Sequence, residues 1–165
     1  MDDNFVDKIN IDKLNEIHKK KRNSLPKNYY HEIIPNLFLG DLPKALESKN
    51  SFDIIINLSG YDYSVFNDAK IHKYIIDDNP FEDIIKIINE TNEIIKTELE
   101  NNKKILVHCY AGRSRSVSII IGYLIKYHKM TYNEAEQLIK SKRLDNEINI
   151  NIGFIAQLKK YSLFL

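Results

Sequence analysis

The chain has little of what several function classes need. Its 165 residues contain one cysteine, Cys109. A single thiol excludes an internal disulfide and fits a reducing compartment, so the cytoplasm is the expected location. It also leaves no resolving partner: an oxidised Cys109 would depend on an outside thiol or a backbone nitrogen for rescue. Net charge is +1, which gives no reason to expect bulk nucleic-acid binding. No apolar run approaches the ~20 residues that span a bilayer, and membrane insertion is not expected. The opening MDDNFVDK lacks a basic-then-apolar signal pattern. There is no Gly at position 2, and the ending Ser-Leu-Phe-Leu is not a lipidation box. No cluster of His, Cys and Asp has metal-ligand spacing, so neither a metal nor another cofactor is expected.

Arginine is scarce too. Of 24 basic residues only four are arginine, and two of these, Arg113 and Arg115, follow closely on Cys109. Lysine is the default cation in a chain whose bias toward Ile, Lys and Asn reads as an AT-rich coding sequence. An arginine here therefore marks a place where planar fork geometry matters.

What is present centres on Ile105–Ser118, ILVHCYAGRSRSVS. Ile105, Leu106 and Val107 read as the end of a short buried strand. A helical pattern begins near Arg115, and a turn with Gly112 and small polar residues lies between. The first amides of a helix lack intrahelical partners and carry partial positive charge. A loop wrapped over that end can aim several N–H groups at one tetrahedral anion. Arg115 can grip two oxygens of a phosphate. Helix N-termini and nearby cations also favour thiolate over thiol. A nucleophilic sulfur at the floor of an anion cradle suits attack on phosphorus.

His108-Cys109-Tyr110-Ala111-Gly112-Arg113-Ser114-Arg115-Ser116 matches HCxxGxxR[ST], and in its fuller form HCxAGxSRS it resembles the dual-specificity subgroup of cysteine-dependent protein tyrosine phosphatases. A sulfur-transfer loop resembles it less, since that loop closes on Arg one position earlier and lacks the preceding His. The resemblance implies an α/β fold: a central, mostly parallel sheet of short strands flanked by helices, with the phosphate-binding loop between a strand and a buried helix. It covers residues 29–165 and leaves 1–28 as an N-terminal extension. Within that extension Ile11, Leu14 and Ile17 form a weak helical stripe, and His18–Arg22 is a basic run. The run reads as a solvated helix end, as a docking arm for an acidic partner, or as a nuclear-import patch.

Along the domain, YYHEIIPNLFLG (29–40) reads as two strands around a Pro-Asn turn, and 43–48 as a short helix. FDIIINL (52–58) is a strand covered on both faces. Tyr61 and Tyr63 lie in the loop that follows; the resemblance places this region at the substrate cleft, and as bare residues they read as packing. Residues 73–76 read as another strand. Asn79 suits an N-cap with Pro80 at the first helical position, opening a helix to about Glu100 with Ile84, Ile88, Thr91 and Ile95 on one stripe. The segment 117–127 is apolar nearly all round and reads as the buried central helix. Thr131 and Glu134 form a capping box, with Met130 and Ala135 as a staple. Phe154, Leu158, Tyr161 and Leu165 mark a last amphipathic helix. Asn151, Gly153, Phe154, Gln157 and Leu158 match the subgroup's closing segment, although both of its prolines are missing.

The resemblance implies a two-step reaction. Cys109 attacks phosphorus and forms a phosphocysteine, while Arg115 and the amides of Tyr110, Ala111, Gly112, Arg113, Ser114 and Arg115 hold the phosphoryl oxygens. Displacing an alkoxide or phenoxide also needs a proton donor, which Cys and Arg cannot supply. In the resembled subgroup that acid lies about 30 residues before the cysteine, in a pattern like D-N-x-x-x-D-I. Asp78–Ile84 fits this register, so Asp78 is preferred over Asp77. Ser116 would stabilise the departing thiolate, and His108 would support the loop rather than act as a base. The expected substrate is a phosphorylated protein, carrying phosphotyrosine or phosphoserine/threonine. Arg113, a cation where the subgroup usually has an apolar residue, keeps a phosphoinositide substrate open. The presence of Asp78 argues against RNA 5′ ends. A phosphate-binding pseudophosphatase scaffold is the non-catalytic alternative, and the joint presence of Cys109, Arg115 and Asp78 prefers catalysis.

Overall fold

A computed structural model describes residues 30–48, 51–63, 68–143 and 148–165. The extension at 1–28, with its basic run, lies outside the described residues. The chain runs β1 (His31–Ile34), β2 (Leu37–Gly40), α1 (Leu42–Glu47), β3 (Ile54–Asn57), β4 (Lys70–Lys73), α2 (Ile84–Glu100), β5 (Ile105–His108), α3 (Arg115–His128), α4 (Tyr132–Lys142) and α5 (Ile152–Leu163). No helix among the described residues is long and apolar enough to cross a membrane.

The sheet order is β1-β2-β5-β3-β4. β1 is antiparallel to β2, and the other neighbours are parallel, which gives the mostly parallel sheet expected from the sequence. The tight β1–β2 link places Asn36 at φ 66°, a conformation Asn tolerates better than most residues. β3 and β5 are buried along their whole length, as strands covered on both faces must be. Their alternation sorts side chains by face. Ile54, Ile56, Ile105 and Val107 join the core under α2–α5, while Ile55 and Leu106 join a second cluster with Leu42 and Ala45 of α1. Gly40, Asn57 and His108 stand level at the carboxyl edge of the three inner strands. In open α/β sheets ligands bind at this edge, and here the chain leaves β5 into the Cys109 loop.

α3 fills the centre. Its residues from Ser116 to Ile125 are all buried, and α2, α4 and α5 pack around it. Gly122 allows the close approach of α2, since a Cβ there would fall 2.5 Å from Ile88 Cγ2. The capping box of Thr131 and Glu134 forms as expected.

Three local expectations are corrected. The fourth strand is Lys70–Lys73, not 73–76. Its ladder ends where β3 ends, at Asn57↔Lys73, so the apolar Tyr74-Ile75-Ile76 has little strand left to pair with. α2 begins at Ile84 and is capped by Asp83, whose side chain accepts from the Ile85 and Lys86 amides. Asn79 instead closes its own turn, accepting from Phe81 N–H at 2.9 Å. Tertiary contact decides between the two caps. Gln157 of α5 accepts from Ile84 N–H and donates to the Glu82 carbonyl, which holds the chain non-helical up to Asp83. Finally, α5 stops at Leu163, leaving Leu165 outside the apolar face and more than half exposed.

Gly153 meets a backbone rather than a side chain. A Cβ there would lie 1.9 Å from the Pro80 carbonyl oxygen, whereas at Gly122 the obstacle is the movable Ile88 side chain. Alanine is the better helix former by about 1 kcal/mol, but a backbone clash does not relax by rotamer change. Gly153→Ala is expected to lose about 1–3 kcal/mol net, the usual cost of overpacking, read as a lower midpoint in urea denaturation.

Candidate phosphate-binding loop

The loop from Cys109 to Ser114 is held from outside by its carbonyls. Leu42 N–H donates to the Tyr110 carbonyl at 3.1 Å. The Arg143 guanidinium donates to the Gly112 carbonyl. Asn149 N–H donates to the Arg113 carbonyl at 3.0 Å, and the N–H and hydroxyl of Ser118 donate to the Ser114 carbonyl. None of the described peptides is cis, and in a trans peptide N–H and C=O point opposite ways. Carbonyls turned outward therefore turn the amides of Ala111, Arg113, Ser114 and Arg115 toward the interior of the loop. Gly112 makes the turn possible: its φ is 67°, and a Cβ there would sit 2.6 Å from the Gly40 carbonyl oxygen.

Inside this ring Cys109 is buried at 2% exposure, with its Sγ 3.2 Å from the Ser116 hydroxyl. Ser116 opens the buried length of α3, so its hydroxyl is fixed by the helix. Arg115 is braced by two carbonyls, donating through Nη1 to Leu58 at 3.0 Å and Ile76 at 3.2 Å. Its Nε is buried with no hydrogen-bond partner. A buried unpaired donor is costly, and one beside a ring of inward amides suits an oxyanion.

His108 is fully buried below the loop. Nδ1 lies 3.0 Å from the Cys109 carbonyl, which can only accept, so Nδ1 carries the proton. Nε2 is then the acceptor for the Tyr63 hydroxyl. Burial holds the His108 pKa down at about 4, against the hydrogen bond to the Cys109 carbonyl and with help from the Arg115 charge. Burial likewise pushes the Tyr63 phenol well above its ordinary value. Neutral imidazole and protonated phenol form a fixed support under the cysteine.

Asp78 reaches the loop from the segment after β4. Its Oδ1 accepts from the Ser114 hydroxyl at 2.6 Å and from Asn151 Nδ2 at 2.8 Å. Asp77, the neighbouring candidate, takes no part in this network. Thus Cys109, Ser114, Arg115, Ser116 and Asp78 converge on one corner of the sheet, with Tyr110, Ala111, Gly112 and Arg113 forming the loop between them. Among the described residues no group of three or more His, Cys, Asp or Glu could hold a metal ion.

Four supporting residues carry no sequence assignment to this loop. Asn57, almost fully buried, accepts from Ser59 and donates to the Tyr61 carbonyl, shaping the turn that brings Tyr63 to His108. Its signal is a lone amide closing an apolar strand. Arg143 is a third arginine among four, and its rarity is the clue. Tyr63 and Asn151 carry no local pattern that reveals their contacts.

The fold and loop together define a domain class in which a cysteine after a central strand opens a glycine-containing turn into a buried helix. The model of the dual specificity phosphatase catalytic domain matches residues 37–163. The chain is 34% identical over 142 residues to the serine/threonine/tyrosine-interacting protein of Mus musculus, covering 79% of this chain and 63% of that protein. It is 35% identical over 137 residues to tyrosine-protein phosphatase MSG5 of Saccharomyces cerevisiae, covering 79% of this chain but 27% of that one. The crystal structure of the human tyrosine phosphatase-like serine/threonine/tyrosine-interacting protein superposes with a TM-score of 0.74 at 30% identity, over 84% of this chain and 98% of that one. This chain belongs to the dual specificity phosphatase family.

The titration of His108 has a sign that can be checked. Unfolded, it binds a proton below its ordinary 6.5; folded, only near 4. The unfolded state therefore holds more protons between those values, and stability must fall as pH drops from 6.5 toward 4. The full loss is on the order of 3 kcal/mol at 1.36 kcal/mol per pKa unit. Chemical denaturation across this range should show a slope that becomes shallower by about one proton in His108→Gln.

Proposed function

We propose that this chain hydrolyses phosphomonoesters on proteins, at tyrosine and at serine or threonine, through a phosphocysteine intermediate. The observation that carries the reading is the Cys109 sulfur, 3.2 Å from the Ser116 hydroxyl and ringed by inward amides. In the first step the Cys109 thiolate forms a bond to phosphorus as the ester oxygen leaves with a proton from Asp78. Arg115 and the loop amides hold the phosphoryl oxygens as charge redistributes. In the second step the Asp78 carboxylate takes a proton from water, the water oxygen bonds to phosphorus, and the thiolate departs against the Ser116 hydroxyl. Inorganic phosphate leaves and both groups return to their starting states. Residues 29–165 are read as the catalytic domain, with 1–28 as an extension.

A second reading has support of its own, because the mouse relative is called an interacting protein. On that reading the loop would bind phosphorylated partners without turning them over. The presence of Cys109, Arg115 and Asp78 together favours turnover. Two variants decide between the readings. Cys109→Ser is expected to abolish hydrolysis of 4-nitrophenyl phosphate while leaving the circular dichroism spectrum and melting temperature close to wild type. Asp78→Asn is expected to slow phenyl phosphate turnover by ~10²–10⁴-fold. Vanadate should inhibit the wild type and a chelator should not. Phosphopeptide binding by a wild-type chain that lacks any turnover would favour the scaffold.

A further inference from the structure

We infer that Asn151 is a positioning residue for the proton donor, and that it selects which oxygen of Asp78 carries the proton. The inference rests on the reading of Asp78 as the general acid. Asn151 is the N-cap of α5, and its Oδ1 accepts from Phe154 N–H at 2.9 Å. That bond fixes the amide's orientation, so Nδ2 must be the atom facing Asp78, where it donates to Oδ1 at 2.8 Å. The Ser114 hydroxyl donates to the same oxygen at 2.6 Å, and Asn151 N–H donates to that hydroxyl's oxygen at 3.1 Å. The backbone N–H thus orients Ser114 as a donor, and both donors then fall on Oδ1.

The chemistry follows from counting hydrogens. Asn Nδ2 and an oriented Ser hydroxyl both bring hydrogen to Oδ1, so Oδ1 can only accept. The proton that the acid delivers must then sit on Oδ2. Two directional bonds also hold an otherwise exposed carboxyl in one place, and misplacing a catalytic group by about 1 Å can cost ~10²-fold. Local chain geometry makes the coupling stiff. Gly153, two residues along from Asn151, lies against the Pro80 carbonyl, and Gln157 binds both Glu82 and Ile84. The start of α5 and the Asp78 segment are therefore joined at three points. The sequence matched Asn151 to the subgroup's closing segment without assigning it a task.

Capping and positioning can be separated experimentally. Serine caps a helix about as well as asparagine but has no amide to donate. In Asn151→Ser, kcat on phenyl phosphate is expected to fall ~10–100-fold. On 4-nitrophenyl phosphate, whose leaving group needs little protonation, the fall should stay under about threefold, with KM unchanged on both. Asn151→Asp, also a sound cap, substitutes an anion for the donor and should lose at least as much on phenyl phosphate. In an Asp78→Asn background Asn151→Ser should add nothing, because its effect runs through the carboxyl. Equal losses on the two substrates, or losses that add in the double variant, would overturn the inference. Retention of wild-type selectivity by both Asn151 variants would overturn it too. If Asp78→Asn itself shows no dependence on the leaving group, the reading of Asp78 falls and Asn151 falls with it. If Asp78→Asn shows that dependence and the Asn151 variants do not, only the present inference falls.

Discussion

The site depends on where the carbonyls of one short turn go. Each backbone carbonyl needs a donor, and an orphaned one inside a protein is costly. Here the donors stand outside the turn and come from different parts of the chain: Leu42 at the start of α1, Arg143 after α4, Asn149 before α5, and Ser118 within α3. Because peptides are planar, satisfying the carbonyls outward leaves the amides of the same groups facing inward. The anion-binding character proposed for the loop is therefore a by-product of how its back is secured. It does not rest on the helix dipole of α3 alone.

The same logic explains why the groups inside the ring have so little freedom. Arg115 is a cation with two of its donor contacts spent on the carbonyls of Leu58, just past β3, and Ile76, three residues past β4, which aims the rest of the fork. Histidine is often a base in enzymes, but His108 is here a neutral spacer. Its two ring nitrogens are both occupied, one by the Cys109 carbonyl and one by Tyr63. A buried imidazole beside a guanidinium has no reason to take a proton near neutrality. The support under the cysteine is thus uncharged near neutrality.

The periodic and the local were legible in the sequence. Continuous apolar runs reveal β3 and β5, the all-round apolar pattern reveals α3, and Thr131–Glu134 announces its own cap. The motif from His108 to Ser116 marks the loop because its residues are adjacent in the chain. What stayed hidden was set by contacts between distant residues. β4 lies a few residues earlier than its apolar content suggests, because pairing with β3 rather than hydrophobicity ends the ladder. α2 opens at Asp83 rather than Asn79 because Gln157, far along the chain, occupies the groups that would have begun it. Arg143 and Asn57 could have been suspected from composition, one as a rare arginine and one as an amide closing an apolar strand. Nothing in the local pattern around Asn151 or Tyr63 indicates which side chain each one meets.

The joint between Pro80 and Gly153 has a bearing on how the chain can be divided. The half of the candidate site that holds Cys109, β5 through α3, is contiguous and ends by residue 128. The other half is shared between a segment before α2 and the first turn of the last helix. A fragment cut after α4 would keep the cysteine, the glycine turn and Arg115. It would lose the amide that caps the Arg113 carbonyl, the backing for Asp78 and the glutamine that sets the start of α2. The contacts that secure the loop therefore extend well past the signature motif, and on the proposed reading the closing helix serves the site as well as the core.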